Sequence, residues 1–228
     1  IVFLKKSGIS SFLQEKPRDF YTPSSAKVNS LVLKIEDISN IDELEIFIKK
    51  SNICDLKNHA NHAVIGDGDT QADIMLIGEA PGAEEDKIGK PFVGAAGQLL
   101  NKMLSAINLD RNKIYITNVI PWRPPNNRTP SNDEILQCLP FLQKHIELIK
   151  PKFIILLGAI AAKSVLSTTH SISKLRGQWH KYKSLYLNES ILCLATYHPA
   201  FLLRSPNYKK QSWEDLQMLQ QKIVDENL

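Results

Sequence analysis

Residues 72–94 read ADIMLIGEAPGAEEDKIGKPFVG: an apolar run, a turn of Gly, Pro and acids, then a second Gly-bounded loop that carries Phe92. Residues 74–77 are continuously apolar, with no polar alternation. Such a run describes a strand buried on both faces, as in a parallel sheet. Three more runs of the same kind follow, at 114–120, 153–157 and 191–196. Apolar residues at helical spacing fill the intervals, over 96–107, 131–149 and 159–166, and a closing helix is expected over 208–227. Ser131 and Glu134 form an S-x-x-E box at the start of the second helix. This alternation predicts an α/β sandwich with right-handed crossovers. Upstream, 41–51 has helical spacing with early acids and 59–71 is a polar loop, while 177–187 alternates as a small hairpin before the last strand.

The totals fit one domain. The chain has 228 residues, is 43% hydrophobic and 23% charged, enough for one sizeable core and too apolar for global disorder. Residues 1–40 read as a poorly defined lead and 41–228 as the domain. A net charge of +4 permits a nucleic-acid partner and equally an ordinary surface. Cys54, Cys138 and Cys193 lie far apart with no CxxC pair, which predicts a reducing, cytoplasmic setting. No apolar run is long enough to span a membrane.

In open α/β sheets, ligands bind outside the carboxyl ends of the strands. Those ends carry Glu79 and Ala80, then Asn118 with the loop 123–128, then Gly158, then His198. Asn118 offers a donor and an acceptor side by side, which matches a nucleobase edge or a cyclic imide; the alternative is a turn Asn bonded to its own backbone. His198 could donate to an oxygen that becomes negative, or be tied to the backbone. Phe92 either plugs the core or forms a stacking wall for a flat ligand. Glu84, Glu85 and Asp86 solvate a loop, or one of them positions water at a pocket rim. The loop lacks the G-K-[ST] ending of a phosphate-binding loop. Cys54, His59 and His62 lack an evident fourth metal ligand. Arg123, Arg128 and Arg204 sit in loops rich in Pro, Asn and Ser that suit a phosphate backbone.

Four stretches in order, GEAPGAEEDKIGKPFVGAAGQLL (78–100), TNVIPWRPPNNRTP (117–130), CLPFLQKHIELIKPK (138–152) and YHPAFLLRSP (197–206), resemble the family-four uracil-DNA glycosylases of bacteria and archaea. The match runs from Ser51 to the C-terminus. The resemblance implies a three-layer α/β/α sandwich on a four-stranded parallel sheet. It implies hydrolysis of the bond between uracil and deoxyribose in DNA after base flipping, the first step of base excision repair. Position by position, it implies that Glu79 and Ala80 line the sugar side and Phe92 stacks on uracil. It implies that Asn118 pairs with the uracil edge, His198 bonds the uracil O2, and Glu85 lies near the base, excluding the thymine methyl or assisting water. Asn127 belongs to the same matched motif. The segment from Phe201 to Arg204, Leu202 included, is implied to supply the wedge entering the duplex, with Arg123, Arg128 and Arg204 on the DNA backbone.

The chain departs from that family at the iron–sulfur cluster. Of four cysteine positions, Ser51 and Trp122 replace two, while Cys54 and Cys138 keep the others. An indole cannot ligate iron. No cluster is therefore expected; Trp122 is expected to pack near Cys54 and Cys138 and staple the same loops, with Cys193 in the core. The leading expectation is an active glycosylase working as a monomer; the alternative is a glycosylase-like DNA-binding protein that has lost catalysis.

Overall fold

The structure is a computed structural model that describes residues 35–184, 187 and 189–228. The expected N-terminal lead lies outside the described residues as far as residue 34. Helix α1 (Ile41–Lys50) begins where the Asn40 side chain accepts from the Glu43 amide and has acids in its first turn. Strand β1 (Gly66–Gly68) and strand β2 (Ile74–Gly78) follow. Next come helix α2 (Ala83–Ile88), ended by Gly89 at φ 84°, and helix α3 (Ala95–Ser105). Strand β3 (Tyr115–Asn118) leads to helix α4 (Asn132–Ile149), whose expected Ser131–Glu134 capping box is fully formed. Strand β4 (Phe153–Leu157), helix α5 (Ala159–Leu166) and the short helix α6 (Ile172–Leu175) come next. The chain closes with strands β5 (Trp179–Tyr182) and β6 (Ile191–Thr196), then helices α7 (Pro199–Arg204) and α8 (Lys209–Asp225).

The strands form one sheet in the order β1-β3-β2-β4-β6-β5. The inner four, β3-β2-β4-β6, pair in parallel and coincide with the four apolar runs. Both edges are antiparallel, so the expected four-stranded sheet is a mixed six-stranded one. Strand β1 lies inside the expected polar loop, and its residues Gly66, Asp67 and Gly68 contribute backbone pairing rather than an apolar pattern. The expected hairpin over 177–187 is corrected as well: β5 pairs with β6 itself.

Alternation along the inner strands divides the core in two. Met75, Ile77, Ile154, Leu156, Cys193 and Ala195 face one cluster, which α1, α4 and α5 complete through Leu44, Ile48, Phe141, Ile146 and Ala161. Leu76, Ile155 and Leu194 face the other, which α3 and α8 complete through Leu100, Leu104, Leu216 and Leu219. These are the three layers of an α/β/α sandwich. Among the described residues, no helix is long and apolar enough to cross a membrane.

The first cluster also holds three of the positions at which the resemblance places cluster ligands. Cys54, Cys138 and Trp122 are all buried in it. Trp122 meets Phe141 edge-on, ring centroids 6.0 Å apart. The Cys54 and Cys138 thiols share a hydrogen bond that draws Cys54 down and, with burial, pushes Cys138 well up. The Ser51 hydroxyl accepts from the Ile53 amide at 3.4 Å. Two thiols, a hydroxyl in use and an indole do not fit a cluster that needs four thiolates. Apolar packing occupies the place instead. Trp122→Ala should therefore cost about 3–5 kcal/mol, as for other large core truncations, read as a lower urea midpoint in equilibrium unfolding.

Candidate active site

The register of the inner strands brings their ends together. Gly78 pairs with Asn118, and Leu157 pairs with Thr196. The residues that follow, Glu79, Ala80, Gly158, Tyr197 and His198, therefore emerge side by side. They line a cleft of about 530 Å³ together with Phe92, Asn118 and Asn127. The connection after β2 runs through α3 over one face of the sheet, and the one after β4 runs through α5 over the other. Such a divergence opens a crevice at the strand ends.

Phe92 has φ of 52°, in the left-handed region. For an L-residue that conformation costs roughly 1–2 kcal/mol, so the surroundings must hold it. Arg111 does so from behind: its guanidinium donates to the Pro91 and Phe92 carbonyls and pairs with Asp67 at 2.9 Å. Glu85 does so from the front: its carboxylate accepts from the Val93 and Gly94 amides at 2.9 and 2.8 Å. Gly97 of α3 lies so close that a methyl there would meet the Phe92 carbonyl. The ring is 5% exposed and packs into the second core cluster while it lines the cleft. Core plug and cleft wall, alternatives in the sequence, are one residue's two faces.

Across from it, His198 stacks on Phe92 with ring centroids 5.5 Å apart and planes 30° from parallel. Its Nδ1 accepts from the Ala200 amide at 3.1 Å. In the neutral ring that leaves the proton on Nε2. Burial lowers the imidazole pKa to about 4, helped by the Arg204 charge and opposed by Glu85. Above that pH, His198 is a neutral Nε2–H donor. The backbone bond expected as an alternative is real, and it fixes the tautomer.

Asn118 is 6% exposed, and its Oδ1 is a buried acceptor with no partner. An empty acceptor of this kind carries a desolvation cost that a ligand N–H would relieve. Gly78 is what makes room: a methyl there would strike both Asn118 Oδ1 and the Phe92 ring. Glu79 also lines the cleft and, among the described residues, its carboxylate has no hydrogen-bond partner. Burial raises its pKa above the ordinary carboxylate range.

The remaining expected residues divide. Glu85, expected near the base, lines the cleft and also holds the Phe92 loop through Oε1. Asp86 is buried and accepts from the Asn61 and His62 amides, while the His62 ring bonds the Asp86 carbonyl, so this corner is a structural tie. Among the described residues no three His, Cys, Asp or Glu side chains gather as metal ligands. Asn127, at φ 54°, lines the cleft and accepts from Arg123 Nε at 2.7 Å. Arg128 also lines it but is bound at both nitrogens to Glu134, holding that carboxyl at about 2. Arg204 reaches the cleft without an acidic partner among the described residues. Leu202, expected in the wedge, is 1% exposed and belongs to the packed face of α7 with Pro199. The next residue, Leu203, is 45% exposed and stands outward. Arg111 was not read from the sequence: it lies 19 residues after Phe92, in no motif.

Comparison with known proteins bears on the whole chain. The family described as “Uracil DNA glycosylase superfamily” matches residues 65–217. The chain is 42% identical to the “Type-4 uracil-DNA glycosylase” of Sulfurisphaera tokodaii, over 83% of this chain and 86% of that protein. It is 40% identical to the protein of the same name from Pyrobaculum aerophilum, over 78% and 92%. A third such protein, from Thermotoga maritima, is 40% identical over 69% and 80%.

Loosening the Phe92 loop should weaken ligand capture rather than the chemistry. Arg111→Gln and Glu85→Gln should each raise KM about tenfold with little change in kcat, since freeing strain of 1–3 kcal/mol is worth that much affinity. Steady-state kinetics on a uracil-containing oligonucleotide would show the split; a loss confined to kcat would refute it.

Proposed function

The chain belongs to the uracil DNA glycosylase superfamily, and we propose that it works as a uracil-DNA glycosylase: it hydrolyses the N-glycosidic bond between uracil and deoxyribose in DNA. One observation carries the reading. A partnerless acceptor, Asn118 Oδ1, and a neutral donor, His198 Nε2–H, line one cleft with the Phe92 ring. That set matches an uncharged ring with an imide N–H and carbonyl oxygens.

The nucleotide leaves the stack, and its base enters the cleft against Phe92. Asn118 accepts from the uracil N3–H. As the bond from C1′ to N1 breaks, its electron pair moves onto the base and negative charge grows at O2. His198 donates to that oxygen, and a donor in place before the charge develops lowers the barrier. The sugar becomes cation-like, and water adds at C1′ and loses its proton. Glu79 suits the water: it is in the cleft, unpaired and raised in pKa by burial. Glu85 suits it less, because its Oε1 accepts from two loop amides and ties the carboxylate to the loop. Ala80 lines the sugar side, Asn127 the rim. Leu203 takes the wedge role expected of its buried neighbour, with Arg123 and Arg204 near the strand. We further infer a single domain over 41–228, a monomer in the cytoplasm, and no iron–sulfur cluster.

The protein should release uracil from single-stranded and duplex oligonucleotides, read as alkali-sensitive abasic sites. His198→Ala and Asn118→Ala should each lower kcat by about 10²-fold or more, the usual cost of such a donor or contact. DNA binding with no cleavage by pure wild-type protein would instead favour the inactive DNA-binding reading. Iron and sulfide analysis of protein purified without oxygen should find neither; stoichiometric iron would overturn the absence of a cluster.

The pH profile separates the acids. Glu79 acts as the carboxylate, so activity should fall as pH drops through its raised pKa. His198 stays neutral above about 4 and adds no limb there. Glu79→Gln should lower kcat by about 10²-fold and flatten the acid limb, whereas Glu85→Gln should leave that limb in place.

A further inference from the structure

The cleft wall continues outward as an aromatic ladder that the reaction does not use. Tyr197 is buried, with its hydroxyl on Gln211 at 3.0 Å. Phe201, which lines the cleft, lies 5.2 Å from it between ring centroids. Tyr208 closes the set, 5.0 Å from Phe201 and 5.1 Å from Tyr197, edge-on to the latter. Tyr208 is 40% exposed, so it is partly open to water while it packs on two residues of the cleft lining, Tyr197 and Phe201. Core packing would account for Tyr197 and Phe201, but it leaves this outer surface without an occupant.

The charges around it are one-sided. Residues 197–210 contain Arg204, Lys209 and Lys210 and no Asp or Glu. All three cations are exposed and, among the described residues, none has an ion-pair partner. An exposed ring flanked by free cations is the arrangement that holds single-stranded nucleic acid, since bases stack on the ring and the cations follow the phosphates. The ring touches the cleft wall, so the base it meets is the neighbour of the nucleotide inside.

Resting on the glycosylase reading, we propose that Tyr208 is a stacking platform for the base next to the flipped uracil, with Arg204, Lys209 and Lys210 along that stretch of backbone. Such a platform grips an unpaired base. It therefore favours uracil in single strands and beside frayed or mismatched pairs, where the neighbour is free to leave the stack.

The test uses a short fluorescein-labelled single strand that contains 2′-fluoro-2′-deoxyuridine, which resists hydrolysis. The neighbour, on the 5′ side in one set and the 3′ side in another, is either thymidine or an abasic tetrahydrofuran. Fluorescence anisotropy gives Kd for wild type, Tyr208→Ala and Tyr208→Phe. On one side, Tyr208→Ala should raise Kd about tenfold for the thymidine strand, within the range for loss of one base–aromatic stack, and leave the tetrahydrofuran strand unchanged. Tyr208→Phe should match wild type. An unchanged Kd, or one raised equally on both strands, overturns the proposal, the second outcome marking a purely structural ring. Uracil release from the cleavable strand is measured in parallel. Its failure in wild type would sink the glycosylase reading, while the Kd comparison would still decide on Tyr208.

Discussion

The site depends on one strained residue held by two polar clamps. Phe92 stands at φ 52°, a conformation its own backbone resists. Arg111 grips the carbonyls of Pro91 and Phe92, and Glu85 grips the amides of Val93 and Gly94. The two clamps come from opposite directions in the chain, and Asp67 neutralises Arg111. A carboxylate that accepts two amides and a guanidinium that meets two carbonyls are charge-assisted contacts, stronger than neutral ones. The ring is thereby set before any ligand arrives, and His198 is stacked upon it. Preorganisation of this kind moves the ordering cost from binding to folding.

Burial then does the electrostatic tuning. The same dry cleft lowers the His198 pKa and raises that of Glu79. Both shifts disfavour charge, yet their chemical outcomes differ. A neutral imidazole suits a donor whose partner oxygen is about to become an anion, because the proton is held and shared rather than lost. A carboxylate with a raised pKa is a better proton acceptor for water. Asn118 Oδ1 pays its desolvation cost in the empty site, and an imide N–H returns it. A ring lacking that N–H, or carrying a methyl against the loop, recovers less.

Much of this was legible in the sequence, and the reasons are physical. The four inner strands are apolar on both faces, so they announce themselves; the edges do not. Strand β1 is Gly-Asp-Gly, held by backbone bonds and the Asp67 ion pairs rather than by an apolar face, and β5 alternates well enough to be seen but not to reveal its partner. Glu79, Asn118 and His198 could be placed at one site because each follows a strand end. Helical phase was the harder matter: Leu202 and Leu203 read alike, yet Leu202 shares the inner face of α7 with Pro199 while Leu203 turns outward. Arg111 was invisible because its value arises only when a distant loop folds over it. Glu85 has a second use that its motif does not show, since its Oε1 holds the Val93 and Gly94 amides.

The former cluster positions show how a fold keeps a constraint while changing its means. A cluster would tie the segment around Cys54 to the start of α4 and to the loop after β3. Here the segment and the loop each meet α4 by other means: Trp122 packs on Phe141, and the Cys54 thiol lies against that of Cys138. That loop continues through Arg123 to Asn127 at the cleft rim, with Arg128 bound to Glu134 in the first turn of α4. The Arg128–Glu134 pair is bidentate, the geometry in which an Arg–carboxylate contact is strongest. The rim is therefore held on α4 twice, by this pair at its first turn and by the buried indole on Phe141.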